Sequence, residues 1–155
     1  MWAQSVSMAS IDKELNTKFT SEQQRLMMNM VYTATWFQNK TQKFLEPFGI
    51  SGPQFNILRI LRGAGEWVTM NTIKTRMVDK SPHTTRLVSK LLDKELVDRH
   101  RSETDRRVVN VIITEKGMKL LARIDEAGIN EINFMDNITS DEALYASEVL
   151  DKLRG

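Results

Sequence analysis

The 155-residue chain contains no cysteine and only two histidines, His83 and His100. Without cysteine it can form no disulfide, no thiolate zinc site, no cysteine nucleophile and no thiol redox switch. Two histidines also argue against a metal site built on imidazole ligands, so we expect no cofactor. No apolar run approaches the ~20 residues of a membrane helix, and the N-terminus lacks the charged-then-apolar order of a signal peptide. We therefore expect a cytoplasmic protein with no membrane contact.

Motifs that support catalysis are absent as well. The chain has no glycine-rich phosphate loop, no G-x-S-x-G elbow and no cluster of metal-ligating residues. Neighbouring acids such as Asp125 and Glu126 fit a solvated helix face. These absences lead us to expect that the protein is not an enzyme.

The composition is that of an ordinary globular domain, with 41% hydrophobic and 27% charged residues, but its charge is unevenly distributed. Residues 69–114 carry ten Lys/Arg against six Asp/Glu, whereas residues 115–155 carry five against nine. A basic middle segment indicates that this part of the chain faces a polyanion. Residues 1–20, which open with MWAQSVSMAS, are expected to form a flexible arm.

The first long helix is marked by a capping signal. Thr20 or Ser21, followed by Gln24, predicts a helix start, and the helix is expected to run to about Leu45. Nine of the twelve residues 26–37 are apolar. A surface helix shows a single apolar stripe, so this helix must be covered on more than one side. We interpret it as a dimerisation helix over residues 21–47.

Two shorter helices follow. Ser51 and Gln54 form a second capping box, and the helix after it is expected to end at Gly63. EWV, residues 66–68, predicts a short strand. Thr69 then caps a third helix, whose apolar face is formed by Met70, Ile73 and Met77.

The helix in SPHTTRLVSKLLDKEL begins with good start signals. Ser81 suits the N-cap, and Pro82 suits the first helical position, where its missing N–H costs nothing. The helical period separates an inner face from an outer one. The inner face holds Thr84, Leu87, Val88, Leu91 and Leu92, and the outer face holds Pro82, Arg86, Ser89, Lys90 and Asp93, flanked by His83 and Thr85.

The chain then changes from a helical to a strand period. LVDRHR and RVVNVIIT are strand-like segments joined by the polar SETD, which predicts a hairpin. Thr114 caps a further helix expected to reach about Met135, with Leu121, Ile124, Gly128 and Ile132 on one stripe, and a last helix follows Thr139 and Ser140. Two short helices and a hairpin predict a winged helix-turn-helix lobe over residues 50–114.

The residues of this lobe suit contact with double-stranded DNA. In a helix-turn-helix, the N-terminal end of the second helix enters the major groove. Small or polar residues lie at that end here, namely Ser81, Pro82, His83 and Thr85, and the outer face of the same helix carries Arg86 and Lys90. For Thr84, core packing and DNA contact remain equal alternatives. At the hairpin tip, an arginine suits the negative potential of a narrow minor groove. We interpret Arg106 as this tip contact and Arg107 as the residue that braces the wing, and the exchange of these two roles stays an open alternative. Asp105 is expected to brace the wing by pairing with a guanidinium group.

The stretches SPHTTRLVSKLLDKELVDR and DRRVVNVIITEKG resemble the MarR family of transcriptional regulators. The resemblance implies a mainly α fold with a small β-hairpin wing, in which N- and C-terminal helices, the latter over residues 115–155, interlock in a homodimer. It further implies binding to a pseudo-palindromic operator as a repressor that a small molecule releases. The family usually has Gly where Glu95 stands, at the end of the recognition helix. Glu does not suit a left-handed C-cap, so we expect a strained or differently shaped helix exit, and the orientation of the wing is left open.

Aromatic side chains offer a candidate effector pocket. Tyr32, Trp36, Phe55 and Trp67 can line a site for a small aromatic or anionic effector, with Lys40, Lys43 or Arg59 as a counter-charge. Aromatic residues are more often part of a core, and that alternative stays open. A different class of function also stays open, namely a winged-helix protein–protein interaction module that has lost DNA binding.

Overall fold

A computed structural model describes residues 9–80, 83–129 and 137–155 of the chain. The chain divides into two compact units, an N-terminal unit of residues 1–43 and a C-terminal unit of residues 44–155.

The N-terminal unit contains helix α1, Ile11–Glu14, and most of helix α2, Glu22–Leu45. The Gln24 N–H donates to Ser21 Oγ at 3.2 Å, and Gln24 Oε1 accepts from the Thr20 N–H at 2.9 Å. These bonds satisfy two N–H groups at the start of α2, where no helical carbonyl is available. The predicted start and end of this helix are therefore confirmed.

Helix α1 lies in the segment for which the sequence predicted no regular structure. Asp12 forms an ion pair with Arg25 of α2 at 2.9 Å, and the Tyr32 hydroxyl donates to Glu14 at 3.1 Å. The hydrogen bond to Glu14, followed by the charge of that carboxylate, raises the pKa of Tyr32. These contacts and the buried Ile11 hold α1 against α2.

The C-terminal unit carries the helix-turn-helix and the hairpin. In chain order, its elements are a 3-10 turn at Glu46–Phe48, α3 at Gly52–Ala64, β1 at Val68–Thr69, α4 at Met70–Arg76, α5 at Thr84–Asp93, β2 at Val97–Arg101, β3 at Val109–Ile113, α6 at Glu115–Glu126 and α7 at Ser140–Arg154. The predicted mainly helical fold with a small antiparallel wing is confirmed. The strand order is β1-β3-β2, and β2 and β3 form the hairpin with Arg99 opposite Val111.

The predicted caps of α3, α4 and α6 are confirmed. Ser51 and Gln54 form both bonds of a capping box. Thr69 accepts from the Thr72 N–H at 3.0 Å, and Thr114 accepts from the Gly117 N–H at 3.1 Å. Each bond depends only on residues three positions apart, which is why sequence alone locates the helix starts.

Two predicted helix ends are wrong. Helix α3 continues through Gly63 and stops at Gly65, whose φ is +67°. Helix α6 ends at Glu126 rather than about Met135, and Gly128 follows with φ +86°. A glycine just after a helix readily takes this left-handed conformation and ends the helix. Gly128 is thus an end signal instead of a member of the apolar stripe, and Ile132 lies outside the described residues.

The core of the C-terminal unit lies between its helices and the sheet. Fully buried side chains come from α3, α4, α5, β3 and α6, and they include Ile57, Leu58, Leu61, Ile73, Leu91, Val111, Leu121 and Ile124. The predicted apolar face of α4 is confirmed, since Ile73 and Met77 are buried and Met70 packs against the core. An ion pair at 2.5 Å between Arg62 of α3 and Asp125 of α6 joins the two helices.

Candidate nucleic-acid interface

Helix α5 separates a buried face from an exposed polar face, as predicted. Val88 and Leu91 lie in the core, with Leu87 and Leu92 packed against it. On the opposite side, His83, Thr85, Arg86 and Lys90 are exposed, and Ser89 is partly exposed. The helix begins at Thr84 with His83 as its N-cap, and His83 makes no side-chain capping bond. The predicted start of this helix, with Ser81 as N-cap and Pro82 at the first helical position, is therefore wrong. Ser81 and Pro82 themselves lie outside the described residues.

Thr84 belongs to the buried face. Its relative exposure is 1%, which matches the buried residues around it. A side chain so covered cannot present its hydroxyl to a base or a phosphate. The alternatives left open for Thr84 are therefore decided in favour of packing, and we remove it from the candidate interface.

The hairpin tip is held by backbone bonds. The Ser102 N–H donates to the Val108 carbonyl and the Val108 N–H donates to the Asp105 carbonyl, both at 2.9 Å. Asp105 Oδ1 accepts from the backbone N–H of Arg107 at 2.9 Å. The expected pair between Asp105 and an arginine guanidinium is not among the ion pairs of the described residues. Asp105 instead shapes the turn through the backbone, in an Asx-type arrangement.

This correction leaves the tip arginines with their charge uncompensated. Within residues 9–80, 83–129 and 137–155, the ion pairs engage Arg25, Arg62, Lys116, Lys119 and Arg154. Arg86 and Lys90 of α5, and Arg106 and Arg107 of the tip, are not among them. Exposed cations without a carboxylate partner are suited to bind phosphates.

The exit of α5 has the shape that a glycine would give it. Glu95 adopts φ +59°, its N–H donates to the Leu92 carbonyl at 2.8 Å, and the Leu96 N–H donates to the Leu91 carbonyl at 3.0 Å. These are the two bonds of a Schellman motif. The prediction of a differently shaped helix exit is therefore wrong. The left-handed conformation still costs free energy for a residue that carries a Cβ.

Contacts with Thr114 and with the start of α6 stabilise the left-handed conformation of Glu95. Its carbonyl accepts from Thr114 Oγ1 at 2.8 Å, and its carboxylate binds Lys116 Nζ at 2.7 Å. The hydrogen bond and charge of Lys116 lower the pKa of Glu95. The wing begins two residues later at Val97, so these contacts link the recognition helix, the wing and α6.

The MarR family model matches residues 50–109, which span α3 to the first residue of β3. The HTH-type transcriptional regulator MhqR of Bacillus subtilis (strain 168) is 35% identical over 112 residues, which cover 72% of this chain and 77% of that protein. This chain belongs to the MarR family. As in its family, the winged-helix lobe makes it a DNA-binding transcriptional regulator.

Solved MarR-family structures share the fold. A mutant MarR from E. coli complexed with operator DNA has a TM-score of 0.71 at 21% identity, covering 94% of this chain and 99% of that one. The organohalide-sensing regulator RdhR in its 2,4-dichlorophenol-bound form has a TM-score of 0.76 at 23% identity, covering 91% of this chain and 83% of that one. At these identities the likeness concerns the fold alone.

Strand β2 adds cations that the sequence interpretation missed. Arg99 and Arg101 are exposed on one face of β2, and they line a small cavity of about 180 Å³ with His100 and Val109. Alternation along VDRHR was the available signal, since side chains two residues apart on a strand share a face. In this MarR-family wing, β2 thus extends the positive charge of the tip along the hairpin.

The four candidate effector residues have different surroundings. Phe55 lies in the core of the C-terminal unit, with the Arg59 guanidinium 5.7 Å from its ring centre. Trp67 is exposed and meets the edge of His100 at 4.3 Å between ring centres. Tyr32 and Trp36 belong to the N-terminal unit, where Lys40 Nζ lies 4.4 Å from the Trp36 ring. The core alternative is thus confirmed for Phe55.

Residues 9–80, 83–129 and 137–155 contain neither a membrane-spanning helix nor a metal-binding cluster. None of the helices there has both the length and the apolar run that crossing a bilayer requires. The same residues contain no group of three or more His, Asp or Glu that could hold a metal ion.

Proposed function

We propose that the protein is a homodimeric regulator that binds a specific double-stranded operator and represses transcription until a small molecule releases it. The observation that carries the proposal is the pairing of two exposed cationic elements on the C-terminal unit. One is the outer face of α5, with Arg86 and Lys90, and the other is the hairpin tip, with Arg106 and Arg107. None of these four cations has an ion-pair partner among the described residues.

Each element suits a different groove of the duplex. Helix α5 enters the major groove by its N-terminal end, where Arg86 reaches guanine edges or phosphates and His83 and Thr85 bind phosphates. Lys90, in the last turn of the helix, reaches guanine edges or phosphates from the same outer face. The hairpin tip enters the neighbouring minor groove, whose potential attracts an arginine. Both Arg106 and Arg107 are available for that contact, and Asp105 fixes the backbone that presents them. Ser81 and Pro82, which precede the helix in the sequence, complete the proposed contact set.

A homodimer is supported by apolar side chains on the terminal helices. In α2, Leu26, Met27 and Val31 are 41%, 53% and 58% exposed. In α7, Leu144 and Leu153 are each 61% exposed. Fully burying an exposed side chain of this kind contributes roughly 1.5–3 kcal/mol. Covering the exposed part of each of these side chains contributes about half of that, so a dimer contact that covers them is favourable. Two-fold symmetry places two recognition helices about 34 Å apart on a pseudo-palindromic operator.

The proposal that an effector releases the protein from DNA is supported by a ligand-bound member of the family. The RdhR structure contains 2,4-dichlorophenol, and a small aromatic or anionic molecule is the corresponding class for this chain. We propose that the site lies at aromatic groups within one unit, either Tyr32 and Trp36 of the N-terminal unit or the exposed Trp67 of the C-terminal unit. A ligand lowers DNA affinity only as far as it binds the incompatible conformation more tightly.

Single substitutions test the DNA contacts. Arg86→Ala, Lys90→Ala, Arg106→Ala and Arg107→Ala are compared with Lys152→Ala of α7, which removes the same charge away from both elements. Loss of a base contact should weaken the binding free energy by roughly 1–3 kcal/mol and relax sequence specificity. A lost phosphate contact should reduce the slope of log affinity against log salt by about 0.9. Light scattering should show an unchanged dimer.

Two outcomes would contradict the proposal. If the α5 and tip variants all bound like Lys152→Ala, the assigned interface would be wrong. If the wild type bound no DNA but formed a stable complex with another protein, the protein–protein module would be the better description.

A further inference from the structure

A groove of about 640 Å³ lies in the C-terminal unit, between the 3-10 turn, the end of α5 and the start of α6. It is lined by none of the proposed DNA contacts on α5 or at the hairpin tip. It also lacks Tyr32, Trp36 and Trp67. The groove is therefore separate from both sites discussed above, and its volume lies within the range of about 300–1,000 Å³ typical of small-molecule sites.

Apolar side chains form the floor of the groove, which we define as Phe48, Leu96 and Leu120. Leu96 is buried, and the other two are partly buried. The Phe44 ring stacks behind Phe48 with ring centres 5.9 Å apart, and the Arg123 guanidinium also lies 5.9 Å from the Phe48 centre. An apolar group of a ligand that packs on this floor would be removed from water without burying a polar side chain of the floor.

Ammonium groups form the rim, which we define as Lys94, Lys116 and Lys119. Among the described residues that line the groove, Glu115 is the one carboxylate and Arg123 adds a fourth cation. Lys94 Nζ donates to the Gly49 carbonyl. The rim therefore presents a surplus of positive charge around an apolar surface.

The carboxylates that hold the rim are readily replaced. Lys116 binds Glu95 and Lys119 binds Glu115, each at 2.7 Å, and the side chains of these pairs are 59–83% exposed. Ion pairs this exposed contribute little to stability because water screens them. An incoming anion can take the place of either carboxylate at small cost.

We propose that the groove binds a small organic anion, with its apolar part on the floor and its charged group held by the rim. A carboxylate and a phosphate share the required chemistry. The probes are therefore 1-naphthoate and 1-naphthyl phosphate, with 1-naphthalenemethanol as the uncharged analogue. The proposal does not depend on DNA binding, since the experiment needs no DNA.

The test is a titration of the full-length ¹⁵N-labelled protein followed by amide chemical shifts. Both anions should cause saturable shifts at Gly49 and at residues 94–96 and 116–120, and the stronger binder identifies the preferred charged group. The uncharged analogue should cause none there at the same concentrations. Lys116→Gln and Lys119→Gln should each weaken binding about fivefold, the factor for one charge about 4 Å away in water.

Lys152→Gln, the same change on α7, should leave binding at the groove unchanged. Three results would overturn the proposal. The first is equal binding of the uncharged analogue at the groove. The second is unaltered affinity in both rim variants. The third is a set of shifts confined to α2 or α7, whose exposed apolar side chains also attract naphthyl rings.

Discussion

Replacing Gly117 with alanine should destabilise the protein, because a side chain at this position has no room. Gly117 lies in the first turn of α6, where the chain passes against the end of α5 and the end of β3. An added Cβ would overlap the Leu96 carbonyl oxygen and would lie 2.7 Å from Ile113 Cγ1. The Ile113 side chain can rotate, but the carbonyl belongs to the backbone.

The expected loss follows from three contributions. Overpacking costs about 1–3 kcal/mol. Displacing the Leu96 carbonyl weakens its 3.1 Å bond from the Thr114 N–H, which is about another 1 kcal/mol. Alanine offsets about 1 kcal/mol, because it is a better helix former than glycine. Gly117→Ala should therefore lower the free energy of unfolding by about 2 kcal/mol, or Tm by roughly 4–8 °C for a chain of this length.

The assay is thermal and urea unfolding followed by circular dichroism, with Gly63→Ala as the matched control. Gly63 lies in α3, is exposed, and has no atom within 4 Å of an added Cβ. Its substitution should raise stability by up to about 1 kcal/mol. If Gly117→Ala were as stable as the wild type, or shifted in the same direction as Gly63→Ala, the close approach of α6 to Leu96 would be refuted.

Further predictions concern individual contacts. Asp105→Ala should weaken operator binding more than Asp105→Asn does, because the amide oxygen can still accept from the Arg107 N–H; equal affinities in an anisotropy assay would contradict this role. Asp125→Asn should reduce the unfolding free energy by about 1 kcal/mol, measured in urea, through loss of its pair with Arg62; an unchanged midpoint would show that the pair contributes nothing. Glu14→Ala should lower the pKa of Tyr32 toward its usual 10.0 in an absorbance titration, since the hydrogen bond to Glu14 and then the charge of that carboxylate raise it; an unchanged titration would exclude that bond. Because Lys116 lowers the pKa of Glu95 below its usual 4.5, their pair stabilises the fold above that pH and is lost as pH falls through the lowered pKa. The Tm difference between wild type and Lys116→Gln should therefore shrink between about pH 6 and about pH 3, and a constant difference would contradict the assignment.

Sequence reasoning located the starts of α3, α4 and α6 because capping is local. Ser51, Thr69 and Thr114 each accept a bond from an N–H three residues on, so residue type and spacing are sufficient. The buried and exposed faces of α5 could also be predicted, because the helical period assigns each side chain to one side of the helix. Thr84 shows the limit, since a small polar residue at the boundary of the faces is decided by the packing around it.

Helix ends and charge pairs depend on information that a linear pattern does not contain. Gly63 and Gly65 are both plausible stops for α3, and only backbone geometry identifies the left-handed one. Helix α1 was missed because it is held by tertiary partners on α2. Asp105 and its neighbouring arginines suggested an ion pair, but the carboxylate is closer to a backbone N–H within the tight turn.

The central claim is that the α5 face and the hairpin tip recognise a specific operator. Fluorescence anisotropy of the protein on DNA from upstream of its own gene, beside a scrambled duplex and across a salt series, tests it most directly. Tighter binding to the upstream DNA, which survives added salt better than binding to the scrambled duplex, is the predicted result. Absence of binding to either duplex at low salt would contradict the account.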